Sequence, residues 1–131
     1  MGIIKVVCGI IYKDDQILIC RRKQEKSLGG FWEFPGGKVE INESYEESLL
    51  RELKEELALE VIIKKPFITH THHYEQNTIE LISYICSTVH SEIQSIDHDQ
   101  VEWIFVNNLL AYNLAPADIP IAEALIQGQE I

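Results

Sequence analysis

Residues 35–59 read PGGKVEINESYEESLLRELKEELAL, and this stretch decides how the rest of the chain must be arranged. Its second half has the marks of one amphipathic helix, predicted from near Asn42 to near Ala58. Asn42 is the expected N-cap, and Glu43, Glu46 and Glu47 put negative charge in the first turns, where the helix dipole favours it. Tyr45, Leu49, Leu53 and Leu57 recur every four residues, with Leu50 beside them, giving an apolar stripe. Glu52, Glu55 and Glu56 stand at i, i+3 and i+4 and converge on one patch. At about 100° per residue, that patch borders the stripe instead of lying opposite it. A solvated acidic face is the ordinary reading of such a helix. Here it fits poorly, because carboxylates at the edge of a buried face repel one another unless a cation neutralises them. Oxygen-only ligands partly in water suit Mg²⁺ or Mn²⁺ and not zinc.

Outward from this helix, the chain has the bulk of one domain. Its 131 residues can bury a real core, and 46% hydrophobic with 24% charged residues is an ordinary globular balance. The formal net charge of −10 argues against nonspecific binding to nucleic acid or an anionic membrane, which requires clustered Lys and Arg. An acidic protein can still bind a triphosphate when divalent cations bridge the two. Cys8, Cys20 and Cys86 are odd in number, lack CxxC spacing and lie in apolar runs, so they are expected as buried reduced thiols. The apolar start MGIIKVVCGIIY contains Lys5, is too short to span a bilayer and lacks the layout of a signal peptide. A strand and a cytoplasmic location are the expectation.

Gly37, Glu43, Arg51, Glu52, Leu53, Glu55, Glu56 and Leu59 match the Nudix box, G-x5-E-x7-R-E-U-x-E-E-x-G-U, where U is a bulky aliphatic residue. Only the second glycine is missing, replaced by Ala58. The chain therefore resembles the Nudix hydrolases, which cleave nucleoside diphosphates linked to another group. The resemblance implies that Glu52, Glu55 and Glu56 bind the metal, and that one of them, Glu52 first among them, orients or deprotonates the attacking water. It also implies a structural pair between Glu43 and Arg51 and contact of the Gly37 carbonyl with a metal. Gly36 and Gly37 allow a tight loop with close backbone approach to ligand. If the helix ends at Ala58 in a left-handed conformation, alanine costs roughly 1 kcal/mol relative to glycine there.

Residues 3–12 and Ile17–Arg22 are predicted to form a hairpin around a polar turn, Lys13–Gln16. Alternation puts Ile17, Ile19 and Arg21 on one face and Leu18, Cys20 and Arg22 on the other. Arg22, eleven residues before Glu33, matches an arginine that contacts a substrate phosphate in the MutT-type branch of the family; a solvated strand-end arginine is the alternative. Lys23–Gly30 is expected as a polar loop at the rim of a pocket. Phe31–Pro35 is expected as a short aromatic strand running into the glycine loop, with Trp32 and Phe34 either core or walls for a base. After the helix, Val61–Ile63 starts a strand that Lys64-Lys65-Pro66 interrupts and Phe67–Tyr74 continues, and Thr78–Val89 returns. In the run His70-Thr71-His72-His73 no third ligand stands at zinc spacing, so pocket lining or pairing across the hairpin is expected.

His90–Gln100 is predicted as a polar loop before the strand Val101–Val106. Asp97 stands six residues before Trp103, where the MutT-type branch carries an acid that helps bind metal or activate water; Asp99 is the other candidate, and a turn role the alternative to both. A helical turn is expected near Asn108–Ala111, then an apolar helix over Ile121–Ile126. The element LAPADIP before it resembles the corresponding segment of bacterial CTP pyrophosphohydrolases. There the position of Asp118 reads the base edge, accepting from cytosine N4 or from an oxidised guanine, unless Asp118 only caps the last helix.

The order β-β-β-α-β-β-β-α predicts a mixed β-sheet between helices, an α/β (α+β) fold, and agrees with the α/β/α sandwich that the resemblance implies. The implied activity is metal-dependent hydrolysis of a nucleoside triphosphate, (d)CTP or a modified (d)NTP, to the monophosphate and pyrophosphate. An 8-oxo-dGTP sanitising hydrolase and a noncatalytic nucleotide-binding module are the alternatives.

Overall fold

The computed structural model describes residues 2–90 and 92–128. The chain runs β1 (Ile3–Lys13), β2 (Gln16–Arg22), β3 (Trp32–Glu33), β4 (Gly36–Lys38), α1 (Tyr45–Leu57), β5 (Ile62–His73), β6 (Thr78–Ser87) and β7 (His98–Phe105). A 3₁₀ turn (Val106–Ala111) and α2 (Ile119–Gly128) follow. All seven strands join one mixed sheet with the path β3-β2-β1-β6-β5; β4 adds to β1 and β7 adds to β2. Only β1 and β6 run parallel.

Strand alternation divides the core in two. Val7, Ile11, Leu18 and Cys20 point to the face where Leu49, Leu53 and Leu57 of α1 pack. Cys8, Ile10, Ile17 and Ile19 point to the opposite face, against Leu109, Ile121 and Leu125. The predicted facing of β2 is therefore observed, and the sheet is sandwiched between α1 and α2. The three α1 leucines are fully buried, each contributing about 1.5–3 kcal/mol by leaving water. Leu50, expected beside the stripe, is exposed instead: it lies one residue past Leu49, about 100° around the helix.

Both ends of α1 are defined by local chemistry. The N-cap is Ser44 and not Asn42: Ser44 Oγ accepts from Glu47 N–H at 3.0 Å, and Glu47 Oε1 accepts from Ser44 N–H at 2.9 Å. This reciprocal capping box satisfies two free helix donors. Asn42 sits in the preceding turn at φ 73°, a conformation asparagine tolerates. At the other end Ala58 is left-handed, with φ 54° and ψ 38°, and Leu59 N–H closes on Leu53 O at 3.2 Å.

Two segments depart from expectation around the glycines. The aromatic strand is only Trp32–Glu33, and the predicted glycine loop forms β4, paired with Val6–Cys8 of β1. Space, not backbone freedom, requires glycine there. A Cβ on Gly36 would lie 1.9 Å from Val7 O, and one on Gly37 would lie 2.2 Å from the Glu52 carboxyl carbon. Pairing of β1 with β2 is confined to the hairpin end, at Tyr12↔Ile17 and Lys13↔Gln16. Beyond it the strands part, and a cleft opens between them.

Lys64-Lys65-Pro66 interrupts β5 only as register shifts within one strand, keeping proline on a sheet edge. Helix α2 begins at Ile119, two residues earlier than predicted, because Pro120 is compatible with a first helical turn.

Candidate active site

Arg51 organises the acidic face of α1. Its Nε and Nη2 clamp Glu43 Oε2 and Oε1 at 2.8 and 3.0 Å, the expected pair, and Ser48 Oγ donates to Glu43 Oε1 at 2.7 Å. These bonds, Arg51 first, hold the Glu43 carboxyl below the usual range. Arg51 Nη1 also reaches Glu52 Oε2 at 3.2 Å and Glu55 Oε1 at 3.1 Å. Glu52 is the more enclosed of these two, 15% against 61% exposed, and burial pushes its pKa up despite Arg51. Glu52 lies against Gly37, whose missing side chain leaves the room for it.

Glu56 is brought against Asp97 by the segment before β7, which docks on the end of α1. Gln94 N–H donates to Leu57 O at 3.0 Å and Ile96 N–H to Glu56 O at 3.2 Å. Burial and the neighbouring Asp97 raise Glu56 to about 7, while Asp97 is lowered by its bond with Glu56 and by Lys26 Nζ at 3.2 Å. The pair thus holds one proton near neutrality, on Glu56. Asp99, the other candidate, points away and binds Arg21 Nε at 2.7 Å.

The cleft where β1 and β2 part has a volume of about 370 Å³ and is lined by Cys8, Arg22, Glu33, Phe34, Gly37, Tyr74 and Asp118 among others. It runs from the glycines beside Glu52 to Asp118 at the start of α2. Arg22 is not a solvated strand end: Nε donates to Ser27 O at 2.7 Å and Nη1 to Glu33 Oε2 at 3.3 Å. Asp118 is buried, with Oδ2 accepting from Phe34 N–H at 2.9 Å. Only its backbone carbonyl caps α2, accepting from Ala122 N–H at 3.0 Å, so the side chain is spent on the cleft. Burial, then Glu33, pushes the Asp118 carboxyl well above the usual range. Trp32 and Phe34 are both core residues, and Phe34 also walls the cleft. A larger groove of about 600 Å³ between Leu50 and Val89 is mostly apolar and holds none of the box acids, Arg22 or Asp118, so the smaller cleft is the candidate site.

His73 Nδ1 pairs across the hairpin with Thr78 Oγ1 at 2.9 Å, whereas His70 and His72 stand side by side at 5.8 Å. The three cysteines are free and buried. Glu33, Lys26 and His98 were not singled out by the sequence. Each acts through partners far along the chain, and no spacing rule marks such pairs.

Among the described residues, no three His, Cys, Asp or Glu side chains stand in liganding positions as they are placed. The donor set nevertheless suits a hard cation. All its atoms are oxygens, Gly37 leaves a cradle that a Cβ would fill, and Glu56 Oε2 is buried without a hydrogen-bond partner.

Fold and site together describe an α/β sandwich with carboxylate oxygens on α1 beside a cleft. The NUDIX domain family matches residues 6–124, and the chain belongs to the Nudix hydrolase family, within its MutT-like branch. Nudix hydrolases act on nucleotide substrates and generally need a divalent metal. The chain is 37% identical to the CTP pyrophosphohydrolase of Escherichia coli K12 over 126 residues, covering 96% of this chain and 93% of that protein. It is 34% identical to the 8-oxo-dGTP diphosphatase of Buchnera aphidicola, over 82% of each. The solution structure of the E. coli ORF135 protein superposes with a TM-score of 0.85 at 37% identity, covering 97% of this chain and 91% of that one. The MutT protein of Methanosarcina mazei Go1 shares the fold, with a TM-score of 0.90 at 20% identity over 99% and 97% of the chains. Among the described residues no helix is long and apolar enough to cross a membrane.

Proposed function

We propose that the chain hydrolyses nucleoside triphosphates to the monophosphate and pyrophosphate, with cytidine nucleotides, (d)CTP or a modified form, as preferred substrates. The observation that carries this reading is the continuity of the cleft from Gly36 and Gly37, against which Glu52 lies, to the buried Asp118 at the other end. Glu52, Glu55, Glu56 and the Gly37 carbonyl would hold a divalent cation, Mg²⁺ or Mn²⁺, which supplies the charge neutralisation that substitution at phosphorus needs. Glu56 and Asp97 share one proton in the metal-free site; a cation on Glu56 would displace it and leave the Asp97 carboxylate beside the place where water is to be activated. Arg22 lies in the cleft, held by Glu33 and Ser27 O, and would clamp phosphate there. Asp118 presents the group that reads the base. A carboxylate accepts from cytosine N4, and a carboxyl kept protonated by burial also donates to a ring nitrogen. Free buried thiols agree with a reducing, cytoplasmic setting.

The likeness to 8-oxo-dGTP diphosphatases favours a second reading, with an oxidised purine in the same pocket. A pyrophosphate-release assay with Mg²⁺ ranks kcat/KM for CTP, dCTP, 5-methyl-dCTP, 8-oxo-dGTP and dGTP. A lead by cytidine nucleotides is expected. A lead by 8-oxo-dGTP would establish the second reading. Binding without turnover of any of them would leave a noncatalytic nucleotide-binding module.

A further inference from the structure

We infer that His98 is a positioning residue for substrate binding: its ring holds Glu33, and Glu33 holds Arg22 in the cleft. This rests on the reading of Arg22 as the phosphate clamp. His98 is 8% exposed, on the strand paired with β2. Its Nε2 lies 2.8 Å from Glu33 Oε2, and its Nδ1 lies 3.2 Å from Ser95 Oγ. The same Glu33 oxygen accepts from Arg22 Nη1 at 3.3 Å, so one atom joins the buried ring to the guanidinium.

A β-bulge builds this contact. Pairing of β2 with β7 runs in step from Gln16↔Phe105 to Arg21↔Gln100, then jumps to Arg22↔His98, leaving Asp99 as the extra residue. Continued alternation from Ile104 and Glu102 would place His98 on the α2 side of the sheet. The added residue returns it to the side that Arg22 and Glu33 share, the re-aiming for which bulges recur beside active sites. Asp99 is held in the bulge by Arg21.

The neighbouring bonds agree with a hydrogen on Nε2, since a carboxylate oxygen only accepts. Ser95 Oγ accepts from His98 N–H at 3.1 Å, and its hydroxyl proton is free to go to Nδ1. Nε2 then carries the hydrogen and donates it to Glu33. A Glu–His–Ser row invites a nucleophilic reading. Here Ser95 closes its own turn through the backbone of His98, and the row ends in a holding contact. Glu33 so oriented presents its other lone pairs to the cleft, while Arg22, tied also to Ser27 O, keeps its head group aimed there.

The test compares His98→Asn with His98→Gln. Asparagine places an amide where Nδ1 was and keeps reach of Ser95 but not of Glu33; glutamine reaches Glu33. For CTP with Mg²⁺, His98→Asn is expected to raise KM about tenfold with kcat within about threefold of wild type, and His98→Gln to restore KM to within about twofold. The Kd of α,β-methylene-CTP, measured by calorimetry, should follow KM. Equal KM and Kd values for the two variants, or a loss confined to kcat, would overturn the inference. Wild-type protein alone gives a second readout. Long-range ¹H–¹⁵N correlation should show the His98 hydrogen on Nε2, and a hydrogen on Nδ1 alone would overturn the contact whether or not either variant folds. Failure of wild-type enzyme to bind or cleave any triphosphate would instead strike the proposed function, leaving the tautomer measurement to judge the contact separately.

Discussion

The outer face of α1 and the floor of the cleft both display carboxyl groups, and they hold them with different partners, a guanidinium on α1 and a backbone N–H in the cleft. On α1, Glu52 and Glu55 share one guanidinium at the water's edge, so they offer lone pairs and attract cations. In the cleft Asp118 is buried and pushed toward its neutral form, with one oxygen already bound to Phe34 N–H. The first arrangement suits holding a cation that would neutralise a phosphate chain. The second suits choosing between hydrogen-bonding edges of similar shape, because an unmatched polar group there stays unpaired away from water. On the proposed reading, reaction and selection belong to separate residues, and each is expected to be removable without the other.

The largest effect should come from the reacting side. Glu55→Gln removes a charge from an exposed position without disturbing the core, so folding is expected to be intact while kcat falls by about 10²-fold or more. Kinetics paired with thermal unfolding checks this. Retention of most activity would place the centre on Glu52, Glu56 and Asp97 alone.

A smaller change is expected from the selecting side. Asp118→Ala should leave turnover of the best substrate within about tenfold while altering the ranking among CTP, dCTP and 8-oxo-dGTP. Asp118 also anchors Phe34 N–H, so Asp118→Asn, which can keep that bond, is the cleaner companion. If both variants keep the wild-type ranking, the carboxyl is an anchor only, and the division between the two regions fails on this side.

The same contrast explains what could be read beforehand. Glu43, Arg51, Glu52, Glu55 and Glu56 share one helix and the turn before it, where spacing in sequence is spacing in space, and the clamp of Arg51 on Glu43 appears as anticipated. The N-cap is Ser44 and not Asn42 because Ser44 with Glu47 spells a capping box, a pattern local to the sequence. The cleft was less legible for a different reason. Phe34 and Asp118 are 84 residues apart, and Glu33 and His98 are 65 apart. Their meeting depends on where β1 and β2 part and on one extra residue in β7. Asp97 could not be separated from Asp99 by spacing, since only that bulge sends Asp99 to Arg21 and leaves Asp97 beside Glu56.

Proton linkage sharpens the comparison by a further effect of about tenfold in Mg²⁺ affinity. Glu56 is raised from 4.5 to about 7 by burial first and Asp97 second. A cation held there must displace that proton, so Mg²⁺ affinity should rise from about pH 6 to about pH 8 and then level. For the metal-free fold the sign is opposite. Between 4.5 and about 7 the folded state binds more protons than the unfolded chain, so this group's stabilisation is complete below 4.5 and is lost as pH rises through about 7. Calorimetric Mg²⁺ titrations in two buffers of different ionisation enthalpy should reveal proton release at about pH 6 and none at about pH 8.5. Equal apparent heats at the lower pH would show that Glu56 is not among the ligands.

The smallest effect tests whether the scaffold is independent of either set of acids. Ala58 closes α1 at φ 54°, where its Cβ is strained and glycine is not. The closure of the helix end, with Leu59 N–H on Leu53 O, already exists and needs no rearrangement. Ala58→Gly should therefore relieve the strain, offset in part by the greater freedom glycine has when unfolded, for a net gain of about 0.5–1 kcal/mol. Denaturant unfolding should show a higher midpoint at unchanged slope, with kcat and KM as in wild type. Glu56 lies two residues before Ala58, and Leu57 O receives the segment that carries Asp97. A shift in kcat without a gain in stability would mean that the helix end sets the Glu56–Asp97 contact, and that the reacting side extends to the cap.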